Sequence, residues 1–236
     1  MRIDLNCDLG EGCEHDAELM ALVTSANISC GAHAGDPAAM TTALRLAKDH
    51  RVQVGAHPGF PDRENFGRSE LPYNDEQICQ DCVYQIGALS GLALGVGVPV
   101  RFVKPHGALY NLACREPGYA KPVVRAAKLF GLGIMGLPHS ALEQEAAAEQ
   151  LPFIAEGFAD RRYQADGSLV PRTCSNAFVN DPKDAAAQVE WLIRKQNVQT
   201  ICVHGDNPHA PKFVRHLREC LKEWGVEIRA FEMGDG

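Results

Sequence analysis

The chain of 236 residues is 45% apolar, carries a formal net charge of -7 and contains nine cysteines. The apolar share suffices for a sizeable core, whereas the acidic balance and the lack of a basic patch exclude nucleic acid and anionic membrane surfaces as expected partners. No run approaches the roughly 18 apolar residues of a membrane helix, the first residues are no signal peptide, and the scattered cysteines suit reduced thiols, so a cytoplasmic protein is expected.

Short β-type runs alternate with longer helical ones. Strands are predicted over 3–7 and 25–29. Asp36 then offers an N-cap, and Pro37 a first-turn proline, for a helix running to about His50. A strand over 52–57 leads into a long connection, 58–73. It ends where Asn74 and Gln77 make a capping-box pattern for a helix from Asp75 to about Leu94. Strands follow over 101–104 and 132–136, the second after a helical run at 123–130. The strand over 153–157 opens another long connection, 158–180. Asp181 and Pro182 repeat the capping device for a helix over 183–196. After a strand over 200–204, Phe213, Leu217, Cys220, Leu221 and Trp224 form an apolar stripe at helical spacing, and a last strand is predicted over 227–231.

Eight strands alternating with helices, several of them continuously apolar, imply a parallel sheet covered by helices. No composition break marks a linker, so one domain over 1–236 is expected. Polar strand ends are spread along the whole chain, whereas an open doubly wound sheet would concentrate them near one switch point. The expected fold is therefore α/β, a TIM-like (β/α) barrel of seven or eight parallel strands.

Four histidines share one local pattern: His33, His57, His106 and His204 each close a short apolar run and precede a small or turn-forming residue. At the carboxyl ends of parallel strands their imidazoles would gather on the rim where such proteins place their chemistry. Carboxylates and amides recur beside them. Alternation puts Asp4, Asn6 and Asp8 on one side of a strand, and burying three such groups is costly unless they are paired, which points to a polar interior site. The expected catalytic set is Asp8, His33, His57, His106, His204 and Asp206. The expected substrate-binding set is Asn6, Glu11, Asn27, Asp62, Lys104, Asn111, Glu156, Arg161, Arg162 and Arg172, with the arginines as anchors for an anion. Asp36 reads as a cap.

Histidine and aspartate suit zinc or a similar divalent ion, but no compact ligand spacing occurs, and ligands drawn from separate strands leave no signature. The residues alone leave a metal open. Gly131-Leu132-Gly133-Ile134-Met135-Gly136 matches a dinucleotide pattern in the wrong context, after a helix and at a strand start. Neither a phosphate-binding GxxxxGK[ST] loop nor a GxSxG serine is present. Cys79-Gln80-Asp81-Cys82 is a lone pair inside a helix and reads as structural.

Several segments together resemble the LamB/YcsF family, whose members are described as the A component of a bacterial ATP-dependent 5-oxoprolinase. They are Asp4-Leu5-Asn6-Cys7-Asp8-Leu9-Gly10-Glu11, Asn27-Ile28-Ser29-Cys30-Gly31-Ala32-His33, Gly55-Ala56-His57-Pro58-Gly59-Phe60-Pro61-Asp62, Lys104-Pro105-His106-Gly107-Ala108-Leu109-Tyr110-Asn111, Glu156-Gly157-Phe158-Ala159-Asp160-Arg161 and Val203-His204-Gly205-Asp206. The resemblance implies a distorted barrel related to the glycoside hydrolase and polysaccharide deacetylase barrels. It also implies a hydrolase that opens 5-oxo-L-proline to L-glutamate with ATP, acting with two partner subunits, B and C. As this chain has no phosphate loop, ATP is expected to be handled with those partners, and a divalent metal stays undecided. Two other readings fit the same residues: a metal-dependent carbohydrate deacetylase with Asp8, His33 and His57 as ligands, and a non-catalytic lactam-binding regulatory subunit.

Overall fold

The computed structural model describes residues 1–165, 167–204 and 210–232. In chain order the elements are β1 (Arg2–Leu9), α1 (Asp16–Met20), β2 (Ser25–Ser29), α2 (Pro37–His50), β3 (Gln53–His57), α3 (Asp75–Val96), β4 (Val100–Val103) and α4 (Gly107–Arg115). They continue with α5 (Pro117–Leu129), β5 (Gly133–Gly136), α6 (Ala141–Ala148), β6 (Phe153–Phe158), α7 (Pro182–Lys195), β7 (Thr200–Val203), α8 (Ala210–Glu223) and β8 (Glu227–Ile228). Local chemistry explains the helix starts. Asp36 accepts from the Ala39 amide at 2.8 Å with Pro37 as the first helical residue, and Asn74 and Gln77 close a reciprocal capping box.

Strands β1 to β7 pair in parallel in sequence order, and β1 pairs with both β2 and β7, which closes the barrel. The eighth strand is an appendage. Ile3 accepts from the Arg229 amide and Leu5 from the Thr24 amide, so β8 lies below β2 on the same edge of β1. That edge already belongs to β2, which is why the strand expected over 227–231 stops at Ile228. The chain then turns under the barrel, and Phe231 packs edge-on against Phe102. On α8, Leu217 and Leu221 are buried as the stripe requires, together with Val214, while Trp224 remains 42% exposed beyond the helix end. The main core lies between the strands' outward faces and the helices, and includes Leu5, Ile28, Val54, Val103, Ile134 and Ile201.

Candidate active site

Strand alternation decides what enters the barrel, and the layers change character with height. At the base Phe102, Met135, Ile154 and Phe231 form an apolar plug. Gly55 makes room for it, because a Cβ there would stand 2.1 Å from the Phe102 ring. Two residues beyond Phe102 and Ile154 stand Lys104 and Glu156, and the interior turns polar. Asn6 donates to Glu156 Oε1 at 3.0 Å and to Thr200 Oγ1 at 2.8 Å, so β1, β6 and β7 are tied across the barrel. Asp4 accepts from the hydroxyls of Thr24, Ser25 and Thr200. Burial pushes its carboxyl up to about 6 despite those donors.

Lys104 sits one residue past β4 and is only 2% exposed. Its ammonium lies 2.8 Å from Glu156 Oε1, 3.0 Å from Asp8 Oδ1 and 3.1 Å from Cys202 Sγ. Burial opposes the charge, but the facing carboxylates outweigh it and hold the lysine well above its ordinary range. Burial pushes the Cys202 thiol well up. Asp8 is held well below the usual carboxylate range: burial works against ionisation, and His57 and Lys104 overcome it. Asn27 donates to Asp8 Oδ1 at 2.8 Å, and Tyr110 donates to Glu156 Oε2 at 2.8 Å.

Above this network three imidazoles meet. His33 and His106 are stacked, with centroids 3.7 Å apart and planes within 2°, while His57 stands perpendicular to both. His57 Nδ1 donates to the Lys104 carbonyl at 2.8 Å, and His106 Nε2 donates to the Phe66 carbonyl at 2.9 Å. His57 Nε2 lies 2.9 Å from His106 Nδ1 and 3.3 Å from Asp8 Oδ2. Glu11 Oε1 reaches His33 Nε2 at 3.1 Å and His106 Nδ1 at 3.5 Å. Burial, then the charge of His57, lowers His33 to about 3, and the same causes hold His106 well below the ordinary imidazole range.

The long 58–73 connection is clamped over these rings. His106 donates its amide to the Pro58 carbonyl and Ala108 donates to the Gly67 carbonyl. Gly107, at a φ of 56°, permits the approach, since a Cβ there would lie 2.5 Å from the Gly67 carbonyl oxygen. On the opposite rim His204 Nδ1 donates to Asp160 at 3.0 Å, leaving Nε2 as its basic nitrogen, and its ring stacks on Phe158. Burial opposes ionisation of Asp160, yet His204 holds it below the usual carboxylate range. Arg161 is 6% exposed; its guanidinium donates to the Val170 carbonyl at 2.7 Å, and its Nε has no partner among the described residues. Burial and the neighbouring Arg172 lower it to about 10.

A cavity of about 1090 Å³ opens above these groups at the carboxyl ends of the strands. Asp8, Glu11, His57, Lys104, His106, Asn111, Glu156, Arg161, Arg172 and His204 all line it. Asn6, Asn27 and His33 lie behind the lining and bond to groups that do line it. Two expected binding residues lie elsewhere. Asp62 accepts from the side chain of Asn65 and the amide of Ser69, so it shapes its own loop. Arg162 is exposed and outside the lining, because alternation beside the buried Arg161 turns its side chain the other way. Asp206 falls outside the described residues. Sequence reasoning passed over Tyr110 and Phe66, which also line the cavity. The signal for Tyr110 was its helical spacing of four from His106.

Two groups of donors among the described residues are close enough to share a metal ion: Glu11, His33, His57 and His106, and Asp8, Cys202 and His204. The second fits poorly, because the Lys104 ammonium already stands against both Asp8 and Cys202. The first fits better, since two of its imidazoles have their outer nitrogens fixed by backbone carbonyls.

Comparison with known proteins agrees with this architecture. A Thermus thermophilus protein described as the A component of 5-oxoprolinase is 43% identical over 250 residues, covering 98% of this chain and 100% of the relative. The crystal structure of a lactam utilization protein from Thermus thermophilus superposes with a TM-score of 0.90 at 40% identity, covering 98% of this chain and 100% of the other. A polysaccharide deacetylase from Bacillus cereus shares the barrel at a TM-score of 0.57 with 12% identity, covering 100% and 95% of the two chains, a likeness of fold alone. The LamB/YcsF family matches residues 3–235. The chain belongs to the LamB/YcsF family.

Proposed function

We propose that this chain is the A component of a cytoplasmic 5-oxoprolinase. It supplies the site at which the ring of 5-oxo-L-proline opens to L-glutamate, coupled to ATP hydrolysis with the help of two partner subunits, B and C. The observation that carries the reading is the buried cluster of Asp8, Lys104, Glu156 and His57 at the floor of a cavity lined on its rim by arginines. The names of the full-length relatives, a lactam utilization protein and a component of 5-oxoprolinase, support the substrate class.

A five-membered lactam is an unstrained amide, so its carbonyl needs activation before water attacks. Phosphorylation of the lactam oxygen would make that carbon more electrophilic: water adds, the C–N bond breaks to leave an acyl phosphate, and a second water displaces the phosphate to give glutamate. With no phosphate-binding loop in this sequence, the phosphorylation belongs with the partners. Asp8, ionised and facing the cavity, is the proposed base for water; such a group contributes typically about 10²–10⁴-fold. Lys104 lies where an ammonium can stabilise negative charge developing on the substrate oxygen. Arg161 and Arg172 are suited to the substrate carboxylate or a phosphoryl group, and His204, oriented by Asp160, to proton delivery at the departing nitrogen. The deacetylase reading rests on fold alone.

The test is reconstitution with the two partner subunits, measuring glutamate release from 5-oxoproline and ATP. Full turnover with this chain omitted would remove it from the reaction. The expected result is turnover only when all components are present.

A further inference from the structure

We infer that Asn6 is a positioning residue. Backed by Thr200 and Asp4, it holds the ammonium of Lys104 in register with Glu156 and Asp8, and it touches no substrate. Its side chain is fully buried and engaged at both ends. Nδ2 donates to Glu156 Oε1 at 3.0 Å and to Thr200 Oγ1 at 2.8 Å, while Oδ1 accepts from Asn27 Nδ2 at 2.7 Å and from Lys104 Nζ at 3.4 Å. Both protons and both lone pairs of the amide are therefore used. Its sense is forced. Turned over, it would set its nitrogen against the Lys104 ammonium and the Asn27 amide nitrogen, and its oxygen against the Glu156 carboxylate. Thr200 enforces the same sense from below, because its hydroxyl proton goes to Asp4 Oδ2 and its oxygen is left to accept. Asp4 takes further hydroxyl donors from Thr24 and Ser25, which anchors the end of the relay.

Two closed circuits share this amide. One runs from Lys104 Nζ to Glu156 Oε1 at 2.8 Å, on to Asn6 Nδ2, and back through Asn6 Oδ1. The other runs from Lys104 Nζ to Asp8 Oδ1 at 3.0 Å, on to Asn27 Nδ2 at 2.8 Å, and back through Asn6 Oδ1. A lysine ammonium rides on a flexible stem, and charge alone does not choose its place between two carboxylates. The circuits choose it, drawing on β1, β2 and β6 as well as the residue after β4. Asn6 lies behind the cavity lining, so the substrate contact expected from the sequence gives way to action through Lys104, Glu156 and Asp8. The inference rests on the ring-opening role proposed above, in which Lys104 stabilises charge and Asp8 activates water. Misplacing such groups by about 1 Å lowers the rate about 100-fold, even when the altered residue is remote from the chemistry.

The experiment measures glutamate release by the full chain reconstituted with partner subunits in excess, for Asn6→Ala, Thr200→Val and Thr200→Ser. Asn6→Ala should lower kcat per folded chain by about 100-fold and leave the KM for 5-oxoproline within about threefold. Thr200→Val keeps the shape but removes the hydroxyl, so kcat should fall by about tenfold, and Thr200→Ser should restore it to within about threefold. If Asn6→Ala fails to fold, the Thr200 pair carries the test. A KM that rises while kcat holds makes Asn6 a substrate contact and overturns the inference. A stability loss with unchanged kcat per folded chain overturns it too. Crystal structures of the parent and of Asn6→Ala or Thr200→Val test the geometry without any turnover. Displacement of Lys104 Nζ by about 1 Å supports the inference, and superposition of Lys104, Glu156 and Asp8 on the parent overturns it. A parent that releases no glutamate refutes the ring-opening reading instead, and the structural comparison still decides what Asn6 holds.

Discussion

Replacing Lys104 by methionine isolates the ammonium while keeping most of the apolar stem. Lys104 is 2% exposed and contacts two carboxylates, at 2.8 and 3.0 Å. Breaking a buried ion pair from one side typically costs about 3–5 kcal/mol, because the surviving charge stays uncompensated. Here each carboxylate keeps other donors: Asn6 and Tyr110 on Glu156, Asn27 on Asp8. The loss should therefore fall near the lower figure, about 3 kcal/mol, which lowers Tm by about 6–12 °C in a chain of this size.

The sign of the pH dependence is fixed. In the parent, Asp8 is depressed, so its contribution is present above the unfolded value and fades as pH falls. In Lys104→Met burial of Asp8 is opposed by His57 without the ammonium, so the depression is smaller and less stability is lost on acidification. The gap between the proteins therefore narrows as pH falls below the unfolded aspartate value of 3.8. Urea unfolding at several pH values measures this, and Glu156→Gln added to Lys104→Met should recover at least about 1 kcal/mol at pH 7. A deficit below about 1 kcal/mol at pH 7, or one that does not shrink on acidification, refutes the charge argument.

Asp4 gives an independent profile. Its folded value of about 6 lies above the ordinary aspartate value of 3.8, so the stability it contributes is present below about 4 and declines as pH rises through 6. Asp4→Asn should flatten that limb of the parent's stability curve, and an unchanged slope in urea titrations between pH 4 and 6 counts against it. Gly107→Ala forces a side chain into a left-handed backbone and against the Gly67 carbonyl oxygen. A loss of about 2 kcal/mol is expected, with faster amide exchange in the 58–73 connection, whereas parental stability and exchange would mean the clamp is not tight.

Much of this fold was readable because the decisive signals are local. Asp36 and Asn74 cap helices where the sequence places them, since a cap needs only its own next three residues. The barrel likewise follows from strand ends spread along the chain. The fate of the last strand was not readable: whether residues 229–231 can pair depends on β2 already holding the upper edge of β1, a contact between distant segments. The same division holds at the site. Strand alternation carries Asp8, Lys104 and Glu156 to one interior, whereas Asp62 sits on an irregular connection where no period fixes side-chain direction. The 2.9 Å approach of His57 to His106 depends on which nitrogen each carbonyl engages, which no sequence pattern encodes.

The central claim is that the carboxylate and imidazole cluster beneath the cavity performs the ring opening. It is tested most directly by glutamate release from the reconstituted three-component system carrying Asp8→Asn in this chain. With the variant folded and the complex assembled, the expected result is a fall of at least about 100-fold, the lower bound for loss of a general base. Release within threefold of the parent would contradict it.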